Sequence, residues 1–156
     1  MCTGVRFADA AGNLYFGRNL DWCESYGEGV VITPRGASIP TQFLGSLSPE
    51  HACVGMGIVV GGVPCYFDCA NEAGLAIAGL NFPGYAQFAE APEKGAVNVA
   101  AYEFPLWVAA SFSTVAEVRK ALKDVVIVAK APSEGYGVAQ LHWLVGDGKE
   151  SIVIEC

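Results

Sequence analysis

Cys2, Arg18 and Asp21 are the residues of this chain whose types and spacing can do chemistry, and all three stand in the opening MCTGVRFADAAGNLYFGRNLDW. Chain termini lie at the surface and fray, so a cysteine one residue from the start is poorly suited to a core. Either it is incidental or the terminus is a working part. Loss of Met1, usual when the second residue is small, would give Cys2 a free α-amine. Such an amine has a pKa of about 7.7–8.0 and is partly neutral near pH 7. One residue would then hold both a nucleophilic thiol and the base that takes its proton, with the amine later returning that proton to a leaving amine. Arg18 would favour the thiolate, the reactive form. Asp21 would hold the α-amine by a charge-assisted hydrogen bond. The plainer reading is a start-adjacent cysteine and a surface Arg–Asp pair, and these residues alone leave both open.

The elements that must position these groups are mostly strands. Val5 and Phe7 alternate with polar or small residues, DAAGN at 9–13 carries turn signals, and alternation resumes from Leu14. The spacing predicts a hairpin with residue i opposite roughly 22 − i, which sets Cys2 across from Leu20 and beside Arg18 and Asp21. Positions 18 and 21 differ by an odd number, so a regular strand points them to opposite faces. A bulge or strand end near Asn19 and Leu20 is needed for both to serve one site. Further strands are expected at 29–34, 52–60, 64–70 and 74–81, with 36–52 as a loop. The last three form an antiparallel meander whose nearly continuous apolar runs predict burial on both faces.

Beyond a loop, Phe104, Trp107, Val108 and Phe112 fall at helical spacing, with Pro105 near the start or at a bend. Thr114 and Glu117 fit a capping box for a second helix. LHWLVGDGKESIVIEC reads as a hairpin turning at 146–149. Antiparallel strands, two helices, then more strands make an α+β class with helices packed on a sheet. The chain stops on an alternating strand with no polar tail, which reads as an interrupted domain.

Composition narrows the setting. The 156 residues suit one domain, 53% are hydrophobic and 16% charged, well below the roughly 25% charged residues of an ordinary soluble domain. Much of the chain is therefore expected inside a core or against a partner. A net charge of −7 with no cluster of basic residues argues against nucleic acid and anionic membrane surfaces. Apolar runs fall short of the roughly 20 residues of a membrane span, and no apolar signal segment opens the chain, so a cytoplasmic address is expected. Cysteines 2, 23, 53, 65, 69 and 156 form no CxxC pair, and the CxxxC of Cys65 and Cys69 has only Asp68 and Glu72 near it. No metal site and no cofactor are expected.

The segments MCTGVRF, YFGRNLDW (15–22), VVITPRG (30–36), ANEAGLAIAGLNFPGYA (70–86), EFPLWVA (103–109) and LHWLVGDGKESIVIE (141–155) together resemble the choloylglycine hydrolases, the group of bile salt hydrolases and penicillin V acylases among the N-terminal nucleophile (Ntn) hydrolases. The resemblance runs along essentially the whole chain. It implies an αββα sandwich of antiparallel sheets, of which residues 1–156 are the N-terminal portion of one domain, and hydrolysis of a non-peptide amide bond. Cys2 would be the nucleophile, Arg18 and Asp21 the groups around its thiol and amine, and Asn81 of GLNFP an oxyanion-hole donor. Asn at this place resembles the bile salt hydrolase branch, because the penicillin acylase branch tends to have Tyr there. The implied substrate is a glycine- or taurine-conjugated bile salt, and the implied assembly a homo-oligomer, often a tetramer. Penicillin V acylase and N-acyl-homoserine lactone acylase are the runners-up within the enzyme class.

The departure from the family pattern is length. Members are longer, and past the end of this chain they carry a further Asn and an Arg that complete the site. A second reading is therefore a non-catalytic half with an uncovered apolar sheet face. Leu20, Trp22 and Phe82 flank the proposed catalytic residues and fit either an apolar substrate pocket or ordinary core. His142, in the apolar LHWLV strand, reads as a hydrogen-bonded structural histidine, and His51 as a loop residue.

Overall fold

The computed structural model describes residues 2–156; the expected removal of Met1 concerns a residue outside that range. Strands β1 (Thr3–Ala8) and β2 (Leu14–Asn19) form a hairpin with Thr3 opposite Asn19 and Ala8 opposite Leu14, the register the sequence predicts. Asp9 builds its turn. Its Oδ1 accepts hydrogen bonds from the backbone N–H of Ala11 and Asn13, and its Oδ2 accepts from Asn13 Nδ2, a local arrangement typical of aspartate at turns.

The main sheet is antiparallel and six-stranded. It contains β3 (Gly29–Thr33), β6 (Cys53–Val60), β7 (Val63–Asn71), β8 (Ala76–Asn81), β11 (Leu141–Gly146) and β12 (Ser151–Ile154). Their spatial order is β12-β11-β8-β7-β6-β3. The expected meander and the final hairpin are both present. The stretch read as a loop over 36–52 instead holds a two-stranded ribbon, β4 (Ile39–Thr41) and β5 (Gly45–Leu47). Three-residue strands are too short to show a period.

A second correction concerns strand direction. β9 (Val97–Ala100) and β10 (Val125–Val128) pair in parallel, and neither was expected as a strand. Parallel neighbours need a crossover of a dozen or more residues. Here it is α1 (Phe104–Ser111) and α2 (Val115–Ala121). Pro105 sits in the first turn of α1, where its missing N–H costs nothing. α1 is buried from Phe104 to Ala110, so it is an all-apolar core helix rather than the striped surface helix its spacing suggested. α2 starts with the expected reciprocal capping box of Thr114 and Glu117.

Two buried polar residues lock helices to sheet. Asn71 donates from Nδ2 to the carbonyls of Ala109 and Phe112 and accepts at Oδ1 from the N–H of Ala73 and Leu75, which uses all four of its hydrogen-bonding positions. Asp147 accepts from Val115 N–H at Oδ2 and from Lys149 and Glu150 N–H at Oδ1. Burial by itself would raise the Asp147 carboxyl, but these backbone hydrogen bonds and the charge of Arg6 outweigh it and hold the group below the ordinary carboxylate value.

The two faces of the main sheet differ. One packs Leu75, Ile77, Trp143 and Val145 against Phe104, Leu106 and Val108. On the other, the β1–β2 hairpin lies over β8 and is tied down by a hydrogen bond from Arg6 Nε to the Asp147 carbonyl (2.9 Å). The burial on both faces predicted for the meander holds for most of β7 and β8 but not for β6, where Val54, Met56 and Val59 are exposed. No helix among the described residues is long and apolar enough to cross a membrane.

Candidate active site

Pairing between β7 and β8 covers only Asp68–Ala70 against Ala76–Ala78. Beyond that point the strands part, and a cleft of about 850 Å³ opens between them and the hairpin. Cys2, Arg18 and Asn81 all line it. Cys2 arrives at the start of β1, Arg18 one residue before the end of β2, and Asn81 at the end of β8, opposite Leu141. Two separate sheets thus bring a thiol, a guanidinium and an amide to one cleft.

Arg18 is fixed by contacts across that junction. Its side chain is only 6% exposed, Nη2 donates to the Phe67 carbonyl (3.1 Å), and Nε lies 3.0 Å from Asp68 Oδ2. The Nε–H is not aimed at a hydrogen-bond acceptor, so the contact with Asp68 is an ion pair held by charge. Burial holds the Asp68 carboxyl above the ordinary value, although the Arg18 charge and a hydrogen bond with the Met56 backbone oppose it.

The other expected site residues divide. Leu20 and Trp22 line the cleft. Phe82 does not: its ring stacks on the His142 imidazole (centroids 4.4 Å apart, planes 4° apart) and tilts against Tyr85, so the structure places it outside the proposed pocket. Asp21 follows β2 on an exposed segment and is not part of the cleft wall. β2 ends at Asn19, which supplies the strand end that Arg18 and Asp21 would need to share a site. His142 Nδ1 sits 3.3 Å from Glu155 Oε1, in keeping with a structural histidine.

Several cleft residues carry no signal in the sequence reading. Tyr26 packs edge-on to Phe67 (6.0 Å) and near Tyr136 (6.2 Å), and the Gly- and Pro-containing stretch 130–141 forms one side of the cleft. Its composition marks a loop, and binding and catalytic residues are disproportionately found on loops positioned by a rigid scaffold. Cys65 also lines the cleft, but burial pushes its thiol up to about 11, which keeps it protonated and unreactive at neutral pH. Cys53 is likewise raised to about 11 by burial, with Glu72 adding to it. Cys69 is pushed well above the ordinary thiol value by burial. The described residues hold no group of three His, Cys, Asp or Glu that could bind a metal ion.

Comparison with known proteins gives a consistent result. The model of the linear amide C–N hydrolases, choloylglycine hydrolase family, matches residues 2–156. The chain is 56% identical over 156 residues to a bile salt hydrolase/transferase of Bifidobacterium longum subsp. longum, covering 99% of this chain and 49% of that protein. It is 53% identical over 155 residues to a conjugated bile acid hydrolase of Lactobacillus gasseri, with the same coverage. The chain therefore spans about half the length of the curated relatives it matches. The crystal structure of the C2A variant of the conjugated bile acid hydrolase from Clostridium perfringens superposes with a TM-score of 0.94 at 37% identity, over 99% of this chain and 48% of that one. A penicillin V acylase from Agrobacterium tumefaciens shares the fold with a TM-score of 0.73 at 20% identity, over 99% of this chain and 46% of that one. The chain belongs to the choloylglycine hydrolase family of linear amide C–N hydrolases.

Proposed function

We propose that the chain supplies the nucleophile, its activating cation and one oxyanion donor of a conjugated bile salt hydrolase, residues 1–156 being the N-terminal portion of that catalytic domain. The observation that carries the reading is that Cys2, Arg18 and Asn81 line the same cleft, whose lining is largely apolar. Apolar walls with a few convergent polar groups suit a steroid acid joined to a small charged amine. The relatives at 53–56% identity are named for conjugated bile acids or bile salts, which favours that substrate class over penicillin V.

In this reading the α-amine released by loss of Met1 takes the Cys2 proton, and the thiolate attacks the amide carbonyl carbon. Arg18 favours the thiolate by its charge. Asn81 donates to the oxygen that becomes negative in the tetrahedral intermediate, an interaction typically worth about 2.7–4 kcal/mol in the transition state. The ammonium then returns its proton to the departing nitrogen, glycine or taurine leaves, and water cleaves the remaining thioester. Asp21 is the proposed partner of the amine. We assign the protein to the cytoplasm, which fits its six free cysteines, and to a homo-oligomer.

The test is release of glycine and taurine from glycocholate and taurocholate, with intact mass to establish that Cys2 is the first residue. Release lost in Cys2→Ala supports the reading, and release that persists in Cys2→Ala overturns it. Bile salt binding without release places the rest of the machinery outside these 156 residues, the half-site reading that the exposed Val30, Ile32, Val54 and Met56 also favour.

A further inference from the structure

The place where Arg18 is gripped is an irregularity in the sheet. Met56 lies opposite Asp68 and Gly57 opposite Tyr66, so Phe67 is an extra residue on β7 without a partner in β6. A bulge of this kind bends its strand and re-aims the groups around it. The Phe67 carbonyl accepts from Arg18, and the next residue, Asp68, turns its carboxylate to the same guanidinium. Two glycines make the arrangement possible. A Cβ at Gly55 would overlap the Asp68 carbonyl and Cys69, and one at Gly57 would overlap the Cys65 carbonyl. The β6 backbone therefore lies too close to β7 for any side chain there.

We propose that Asp68 is a positioning residue, which together with the Phe67 carbonyl forms a clamp that holds the Arg18 guanidinium in the cleft that Cys2 also lines. The inference rests on the reading of Cys2 as the nucleophile. Asp68 is flanked across the sheet by Met56 and Ala78, and besides Arg18 its carboxylate has a hydrogen bond with the Met56 backbone. With Arg18 buried and Asp68 partly exposed, the ion pair contributes little net stability compared with apolar residues of similar size, so stability is a weak reason for this pair. Orientation is the stronger one. With Nε set against Asp68 and Nη2 on Phe67, Nη1 has only a long 3.5 Å contact with the Asn19 carbonyl and is left to serve negative charge in the cleft.

The experiment is the pH profile of Cys2 alkylation by iodoacetamide in the 156-residue chain with Cys2 as first residue, read peptide by peptide by mass spectrometry. Exposed Cys23 is the internal reference, and circular dichroism monitors folding. Arg18→Gln, Asp68→Asn, Asp68→Glu and the Arg18→Gln/Asp68→Asn pair are compared with the parent. The expected result is that Asp68→Asn slows Cys2 at pH 7 by about tenfold, as Arg18→Gln does. Asp68→Glu recovers part of the loss, and Asp68→Asn adds nothing once Arg18 is gone, while Cys23 is unchanged throughout. A parent-like Cys2 profile in Asp68→Asn, with Arg18→Gln shifted, overturns the clamp and leaves the nucleophile reading intact. A parent Cys2 no more reactive than Cys23, with no effect of Arg18→Gln, overturns both. If Asp68→Asn does not fold, Asp68→Glu decides: a changed Cys2 profile with unchanged Cys23 supports the clamp, and an unchanged one overturns it.

Discussion

The two faces of the six-stranded sheet are made from the same strands yet serve different ends. On the helix side Leu75, Ile77, Trp143 and Val145 are fully buried, whereas on the other side Val30 and Ile32 are 71% and 69% exposed. The helix side is closed by apolar packing and by the four hydrogen bonds of Asn71. The other is covered in part by the β1–β2 hairpin, and the reactive groups gather at the seam between that hairpin and the sheet. The contrast teaches that stability and chemistry are divided between faces. Burial on one side sets the strands, and incomplete coverage on the other leaves room for a cleft.

Substitutions can break or sharpen that contrast. The largest effect is expected on the closed face: Phe104→Ala and Ile77→Ala should each cost about 2–5 kcal/mol in urea unfolding, because they leave cavities among residues with no exposure. Next comes the link between α2 and the last hairpin. Asp147→Ala removes the acceptor of three backbone N–H groups, and a loss of about 1–3 kcal/mol is expected. Its carboxyl lies below the ordinary carboxylate value in the folded chain. The stability it contributes is therefore fully present above that value and is lost as pH falls through the lower folded value. Urea midpoints across acid pH should show this fall in the parent and a weaker one in Asp147→Ala. Removing the cap by Thr114→Ala should cost about 1 kcal/mol, measured the same way. Smallest is the open face: Ile32→Thr should change stability by no more than about 0.5 kcal/mol, while lowering binding of a hydrophobic dye and self-association.

Legibility in the sequence followed the same division. Short-range signals survived folding: the DAAGN turn fixed the hairpin register to the residue, and Thr114 with Glu117 formed the capping box. Where an apolar run was short, as at 97–100 and 125–128, period could not tell strand from loop, and the parallel pair went unseen. The helix expected from Phe104 onward is present with Pro105 in its first turn, but its burial on all sides was not legible from the spacing of four apolar residues.

Cys2, Arg18 and Asn81, which the family motifs bring together, line one cleft in the fold, and their roles there are part of the proposal. Phe82 is not among the cleft-lining residues, because adjacency in sequence to Asn81 says nothing about which side of a strand end a ring takes. Asp68 appeared in the sequence only as a neighbour of two cysteines. Its relation to Arg18 spans 50 positions and depends on a bulge, which no local pattern announces. The aromatic lining from Tyr26 and Tyr136 likewise exists only after two loops meet.

The most direct test of the central claim, that Cys2 is the reacting group of a bile salt cleft, is protection of Cys2 from iodoacetamide by glycocholate and taurocholate below their micelle concentrations. Cys2 must be the first residue and Cys23 followed in the same digest. The account predicts saturable protection of Cys2 with no change at Cys23. Equal alkylation of Cys2 with and without bile salt would contradict it.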